Sequence, residues 1–187
     1  MQLLVATTRA WMTQAVERFD EVLVDHAHCE KKAAAHALSM LAAFPSTPGL
    51  ARAMARLARE EAGHLGQVLA LLEKRGLPLG RDPGDPYAQA LQACVRQPAR
   101  ERLLDRLLVS ALIEMRSEER LRLLSENLRD AELRAFYARL AASEEGHGEL
   151  FVRLARKSFP VLDERLAELL RVEARLIREL PVRPAIH

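Results

Sequence analysis

The sequence has few of the residues that interrupt helices, cross-link chains or span membranes. Its 187 residues include eight glycines, nine prolines and two cysteines, Cys29 and Cys94, which are too few for a disulfide framework. Apolar runs such as residues 107–113 are much shorter than the ~20 residues of a transmembrane helix, and the start lacks a signal-peptide pattern. We therefore predict a cytoplasmic protein whose cysteines are small buried hydrophobes, without contact with a membrane.

The residues that are abundant are typical of long helices. Apolar residues make up 49% of the chain, and Ala, Leu, Arg and Glu dominate the composition. The length suits one domain with a sizeable core, so we predict a single all-α domain over residues 1–187. The formal net charge of +2 permits an anionic partner without requiring one.

A ten-residue sequence occurs twice. ARLAREEAGH at residues 55–64 returns as ARLAASEEGH at residues 138–147, with seven of ten positions identical at a shift of 83. In both copies apolar residues at steps of three and four mark one helix face, and a Glu and a His three apart interrupt that face. An unpaired carboxylate is costly to bury, so the repeated Glu-x-x-His predicts metal ligation.

Two further helices carry one carboxylate each in the middle of an apolar stripe. These are Glu30, 31 residues before Glu61, and Glu114, 30 residues before Glu144. The near-equal spacing indicates two duplicated helix pairs, separated by a Gly- and Pro-rich crossover at residues 76–85. The predicted long helices cover residues 19–43, 48–75, 99–126 and 130–157, followed by a fifth at 161–180, with shorter helices at 8–19 and 87–95.

Six side chains then form the ligand set of a ferritin-like four-helix bundle that holds two metal ions. That arrangement takes one Glu from each of two helices and Glu-x-x-His from each of the other two. Oxygen and imidazole donors suit iron, with manganese as a possibility, and no Cys cluster is available for structural zinc. The predicted ligands are Glu30, Glu61, His64, Glu114, Glu144 and His147. The sequence identifies no catalytic residue beyond these ligands, and we predict no organic cofactor.

Some assignments stay open at this point. Glu118, one turn after Glu114, lies near the same helix face and could be the third-helix ligand instead. The Glu and His residues could also be surface charges or a satisfied polar cluster. His26 could support the metal site or be an ordinary buried histidine. Gly63 and Gly146, each just before a predicted ligand His, suggest either close helix packing or space left beside the metals.

The chain resembles the tRNA hydroxylases of the MiaE type over nearly its whole length. The residues that carry the resemblance are Leu23 to Ala34 (LVDHAHCEKKAA), Arg59-Glu60-Glu61, Gln67-Val68, Asp85-Pro86-Tyr87, Leu103 to Val109 (LLDRLLV) and Ile113 to Ser117 (IEMRS). The sequence departs from the family at Gly63 and Gly146, where bulkier residues are usual, and at Leu65 and Gly148, where aromatics are usual. These departures concern the shape of the substrate pocket.

The resemblance implies a ferritin-like di-iron monooxygenase that uses O₂ to hydroxylate the isopentenyl group of 2-methylthio-N6-isopentenyladenosine in tRNA, next to the anticodon. The same six residues would be the iron ligands. The chain has no flavin, nicotinamide or iron–sulfur motif, so an external ferredoxin or reductase is expected. The anticodon stem-loop would meet an electropositive rim including Arg81, Arg96, Arg100 and Arg102. We expect a monomer or small homo-oligomer.

Two other functions share features of this sequence. A ferritin-like iron-binding or peroxide-reducing protein would use the same ligand set without a tRNA substrate. A helical scaffold without bound metal would use the acidic stripe as an interaction surface.

Overall fold

The computed structural model describes residues 2–187, and across that range the chain forms eight α-helices and no β-strand. The prediction of an all-α protein is confirmed. The chain forms two compact units: residues 17–84 with 184–186, the hairpin unit, and residues 2–16, 85–183 and 187, the main unit. The helices are α1 (Arg9–Glu17), α2 (Phe19–Ala43), α3 (Leu50–Lys74), α4 (Pro86–Gln92), α5 (Ala99–Asn127), α6 (Ala131–Glu144), α7 (His147–Ser158) and α8 (Asp163–Glu179).

Two 25-residue helices, α2 and α3, make up most of the hairpin unit. Pro45 and Pro48 stop α2 from continuing, because proline cannot donate the backbone hydrogen bond of a helix interior. Gly49 then takes a φ of 82° directly before α3. So short a connection makes antiparallel neighbours. Their apolar stripes form the core of the unit, with Val22, Leu23, Ala37 and Met40 from α2 and Met54, Leu57, Val68 and Leu72 from α3 all buried.

A late segment of the chain completes the hairpin unit. The backbone N–H of Ile186 donates to Asp25 Oδ2 at 2.7 Å, and the Ala185 and Ile186 side chains are buried. Asp25 is itself buried in α2, so this hydrogen bond satisfies a carboxylate that would otherwise be costly to bury. Residues 184–186 are therefore part of this unit although they lie far from α2 and α3 in sequence.

The 29-residue helix α5 is the centre of the main unit. Helices α6 and α7 both pack along it, and α4 and α8 also contact it. Its long buried run includes Leu107, Leu108, Ala111 and Leu112, which is why its apolar pattern is broader than a single stripe.

Buried ion pairs hold α5 to its neighbours. Arg116 donates from Nε and Nη2 to Glu173 Oε1 of α8, at 3.0 and 2.6 Å, and Tyr87 of α4 donates its hydroxyl to the same oxygen at 3.1 Å. Asp105 accepts paired hydrogen bonds of 2.8–2.9 Å from Arg165 and from Arg96. Burial raises the pKa of Asp105, but the hydrogen bonds from Arg96 and Arg165 outweigh it and lower the pKa to about 2.

The predicted continuous helix at residues 130–157 is wrong. It starts as expected, since Asp130 caps α6 by accepting from the backbone N–H groups of Glu132 and Leu133. It ends at Glu144, and a new helix begins at His147. Between them Gly146 has a φ of 95° and a ψ of −6°, a left-handed conformation that costs a residue with a Cβ roughly 1–2 kcal/mol.

Candidate metal centre

Three of the predicted ligands lie together in the hairpin unit. Glu30 on α2 and Glu61 and His64 on α3 each offer a ligand atom within 4.8 Å of the others. His64 Nδ1 is 3.4 Å from Glu61 Oε2 and 3.8 Å from Glu30 Oε2. All three side chains are buried. We call them the hairpin triad.

The helix geometry of α3 explains how two of these residues meet. Glu61 and His64 are three apart on a continuous helix, so their side chains lie one above the other on the same face. Leu57 and Val68, one turn before and after, are buried on that face. Glu30 reaches the same place from α2, whose buried stripe also carries Ala27 and Ala37.

A further residue of α2 holds the Glu30 carboxylate. His26 Nε2 lies 2.6 Å from Glu30 Oε1, four residues along the same helix, and the His26 side chain is only 1% exposed. The contact fixes one carboxylate oxygen in place. Of the two roles left open by the sequence, the structure therefore favours support of the candidate ligand.

The other three predicted ligands lie together in the main unit. Glu114 on α5, Glu144 at the end of α6 and His147 at the start of α7 also offer ligand atoms within 4.8 Å of one another. His147 Nδ1 is 2.5 Å from Glu144 Oε2. Glu144 and His147 are buried and Glu114 is half-buried. We call these three the main triad.

The structure distinguishes Glu114 from Glu118. Glu114 joins the main triad, whereas Glu118 is 30% exposed and lies 3.9 Å from Arg122, one turn further along α5. An exposed i,i+4 ion pair of this kind contributes little and needs no metal. The structure favours Glu114 as the candidate ligand.

The donor set of each triad fits a transition-metal ion. Each triad has two carboxylates and one imidazole, all close together, and burying carboxylates is unfavourable unless they are paired or coordinated. Such oxygen and nitrogen donors suit iron or manganese, and neither triad offers the thiolates typical of structural zinc. Each group of residues is therefore able to hold a metal ion.

Close packing does not explain Gly63 and Gly146, the glycines that precede His64 and His147. A Cβ added at Gly63 or Gly146 would meet no atom of residues 2–187 within 4 Å. Close approach occurs instead at Gly148, where an added Cβ would lie 2.6 Å from Met115 Cγ and 3.2 Å from the Ala111 carbonyl oxygen on α5. Gly148 thus allows α7 to pack directly on α5, while open space surrounds Gly63.

Two of the four arginines predicted for an RNA-binding rim make contacts inside the main unit. Arg96 is bound to Asp105, and the Arg100 guanidinium lies 5.8 Å from the centre of the Phe159 ring. Arg81 and Arg102 are exposed. Cys29 and Cys94 are half-buried and form no disulfide bond within residues 2–187. Among residues 2–187, no helix is both long and apolar enough to cross a membrane.

The comparisons with known sequences point to one family. The sequence model of the tRNA-(MS2IO6A)-hydroxylase (MiaE) family matches residues 1–187. The tRNA 2-(methylsulfanyl)-N(6)-isopentenyladenosine(37) hydroxylase of Pseudomonas putida is 42% identical over 149 residues, which are 80% of this chain and 72% of that protein. The protein of the same name from Salmonella typhimurium is 34% identical over 104 residues, 56% of this chain and 38% of that protein.

A solved structure resembles the whole chain. Protein 43 from Synechococcus, described as having aldehyde deformylating oxygenase activity, has a TM-score of 0.95 and 39% sequence identity, covering 100% of this chain and 96% of that one. This similarity confirms the predicted ferritin-like fold class. Together with the family match over residues 1–187, it leads to one assignment: this chain belongs to the tRNA-(MS2IO6A)-hydroxylase (MiaE) family.

Proposed function

We propose that this protein is an O₂-dependent monooxygenase that hydroxylates the isopentenyl group of 2-methylthio-N6-isopentenyladenosine in tRNA. The observation that carries the proposal is the presence of two Glu, Glu, His triads, buried except for the half-buried Glu114, in a chain whose whole length matches the hydroxylase family. The names of the curated relatives supply the substrate class.

In this proposal the residues of the two triads are the ligands that would hold two iron ions. Glu30, Glu61 and His64 come from the hairpin unit, and Glu114, Glu144 and His147 come from the main unit. Bound iron would supply the activation of O₂ that insertion into a C–H bond requires. Within the chain, His26 orients Glu30, and the apolar residues around each triad exclude water. Manganese shares the donor preferences, so metal analysis has to decide between the two.

The reaction needs electrons from outside the protein. One oxygen atom of O₂ enters the terminal C–H bond of the isopentenyl group, and the other leaves as water with two electrons and two protons. The sequence has no G-x-G-x-x-G motif and no cluster of cysteines. A ferredoxin or a reductase would therefore supply the electrons. A cytoplasmic location and a monomeric or small oligomeric state stay predictions.

Nucleoside analysis tests the substrate directly. We expect tRNA from cells lacking the gene to contain the isopentenyl nucleoside, with the hydroxylated form restored by the wild-type gene and not by Glu61→Ala. An unchanged amount of hydroxylated nucleoside after deletion would refute the tRNA assignment, even if the purified protein contains iron.

A second candidate function is aldehyde deformylation. The 39% identity and TM-score of 0.95 to the Synechococcus protein favour it. The purified, iron-loaded protein with a reductant, O₂ and decanal as substrate would then release formate. We expect no formate above that of the Glu61→Ala control, because both curated relatives are tRNA hydroxylases.

A further inference from the structure

The solvent-facing side of α3 carries three arginines in a row. Arg52, Arg56 and Arg59 are four and three residues apart and all exposed, so they lie along one face of the helix. The same face continues through Ala62 and Gly66, which are also exposed. We call these five positions the α3 outer face. At ~1.5 Å per residue it is about 21 Å long.

Two of the three positive charges on this face have no ion-pair partner in the described part of the protein. Among residues 2–187 no carboxylate lies within ion-pair distance of Arg52 or Arg59, and Arg56 reaches only Glu60, at 3.7 Å. Such arginines are free to bind an anion from solution, and the planar guanidinium group matches phosphate well.

The glycine on this face has no explanation in the packing of the protein. Gly66 lies inside a helix, where glycine costs about 1 kcal/mol relative to alanine, yet an added Cβ would meet no atom of residues 2–187 within 4 Å. Packing inside the protein does not require a glycine there. A molecule that approaches the α3 backbone from outside would require one.

The second copy of the repeat provides an internal control. At a shift of 83 the five positions become Ala135, Arg139, Ala142, Glu145 and Glu149, and all five are exposed as well. The first copy has three positive charges on this face, whereas the second has one positive and two negative charges. Both copies keep Glu-x-x-His, so the metal site does not demand the arginines of the first copy.

We propose that the α3 outer face binds the phosphate backbone of the tRNA substrate. This inference rests on the proposed function and assigns its RNA contact to Arg52, Arg56 and Arg59, with Gly66 allowing the backbone to come close. RNA is a polyanion that binds arginines with release of counterions, so each phosphate contact lowers the salt slope, d log K/d log[salt], by about 0.7–0.9. Three contacts predict a contribution of about two to three to that slope.

The test measures binding of a fluorescently labelled anticodon stem-loop by anisotropy between 50 and about 300 mM salt. The variant replaces Arg52, Arg56 and Arg59 with Gln. The control replaces Arg171, Arg175 and Arg178 of α8 with Gln; these arginines are also exposed and have the same four- and three-residue spacing. Iron content and helicity must be equal in all samples.

We expect the α3 variant to bind the stem-loop about 100-fold more weakly at 0.1 M salt. The magnitude of its salt slope should be smaller than that of the wild type by about two to three. The α8 control should change affinity less than about threefold. Equal losses in both variants would show a general charge effect and overturn the inference, as would no loss in the α3 variant.

A single substitution that does not threaten the fold gives a second test. Gly66→Glu copies the residue of the second repeat, and we expect weaker binding of the stem-loop together with a raised Tm, because Glu is the better helix former. Unchanged RNA affinity would contradict the role of this face. Wild-type protein that binds no stem-loop would refute both the inference and the proposed function, whereas an α3 variant that binds and hydroxylates normally would refute the inference alone.

Discussion

The two copies of the repeated decamer share seven of ten residues and yet differ in backbone structure. In the hairpin unit α3 runs through its copy without interruption, and Glu61 and His64 lie one turn apart on it. In the main unit the same Glu-x-x-His spans a break, with Glu144 ending α6 and His147 beginning α7. Both copies nevertheless bring a carboxylate and an imidazole together. The side-chain pairing is therefore compatible with two different backbones.

The break coincides with tighter packing in the second copy. Gly146 turns the chain in the left-handed conformation, and two residues later Gly148 packs against the backbone of α5 at Ala111. The first copy has Gly63, which is helical, and the half-buried Leu65 at these two positions. Repeats with the same ligands can therefore diverge in how closely they approach the neighbouring helix.

The largest expected effect follows from removing a ligand from either copy. We expect Glu61→Ala and Glu144→Ala each to abolish stoichiometric iron binding and hydroxylation together, since the proposed six-ligand set takes one such Glu from each copy. Iron content by mass spectrometry and turnover of modified tRNA are the measurements. If one variant keeps its full iron content, the two copies are not equivalent and the six-ligand assignment fails.

A smaller effect on metal affinity is expected from substitutions four residues before the candidate ligands Glu30 of α2 and Glu114 of α5. His26 contacts Glu30 from four residues earlier, and the residue four before Glu114 is Ser110, whose hydroxyl donates to the Arg106 carbonyl oxygen at 2.7 Å. Loss of a residue that orients a metal ligand typically lowers metal affinity 10–100-fold. We expect His26→Ser to show that loss in a chelator competition assay, and Ser110→Ala to stay within about threefold.

Equal affinity in both variants would mean that His26 does not support the metal site. His26→Gln serves as the conservative control, because its amide can still donate to Glu30 and should restore part of the affinity.

Glu21 on α2 and Asp105 on α5 are 84 positions apart, as are Glu30 and Glu114. We expect the two residues to contribute differently to the stability of the protein and to its pH dependence. Asp105 is buried between Arg96 and Arg165, whereas Glu21, 84 residues earlier, forms an exposed pair with Arg18. We expect Asp105→Asn to lower the free energy of unfolding by about 2 kcal/mol and Glu21→Gln by less than about 0.5 kcal/mol, measured by urea unfolding at pH 7.

The pH dependence follows from the sign of the shift. The pKa of Asp105 in the folded protein, about 2, lies below the ordinary value of ~3.9, so its stabilisation is complete above about pH 5 and is lost as the pH falls through 2. The difference in unfolding free energy between wild type and Asp105→Asn should shrink over that range. A difference that stays constant down to pH 2 would contradict the ion-pair explanation.

The smallest expected effects are on the free energy of unfolding, and they have opposite signs at Gly63 and Gly146, the two glycines that precede the histidines. Gly146→Ala should destabilise the protein by about 1–2 kcal/mol, because alanine is strained at a φ of 95°. Gly63→Ala should stabilise it by about 0.5–1 kcal/mol, since alanine favours the helix and its Cβ meets no atom of residues 2–187. Thermal and urea unfolding measure both, and the same sign at both sites would contradict the difference in backbone.

Sequence periodicity predicts the bounds of α2 and α5 and the residues that form each triad. It succeeds there because Glu30, Glu61 and His64 interrupt otherwise apolar stripes, a pattern that local spacing records. The prediction of a continuous helix fails at Gly146. The spacing of apolar residues is the same whether a glycine lies within a helix or in a left-handed turn, so periodicity cannot distinguish the two. The Arg116–Glu173 pair was also missed, since an ion pair between residues 57 apart has no local sequence signal.

The position of residues 184–186 in the hairpin unit has a consequence for synthesis. Helices α2 and α3 leave the ribosome early, but the segment that binds Asp25 follows about 100 residues later. At roughly 5–20 residues per second, that interval lasts about 5–20 s. During it the nascent hairpin has Asp25 without its final backbone contact, so an early-made pair of helices is completed only when nearly all of these 187 residues have been synthesised.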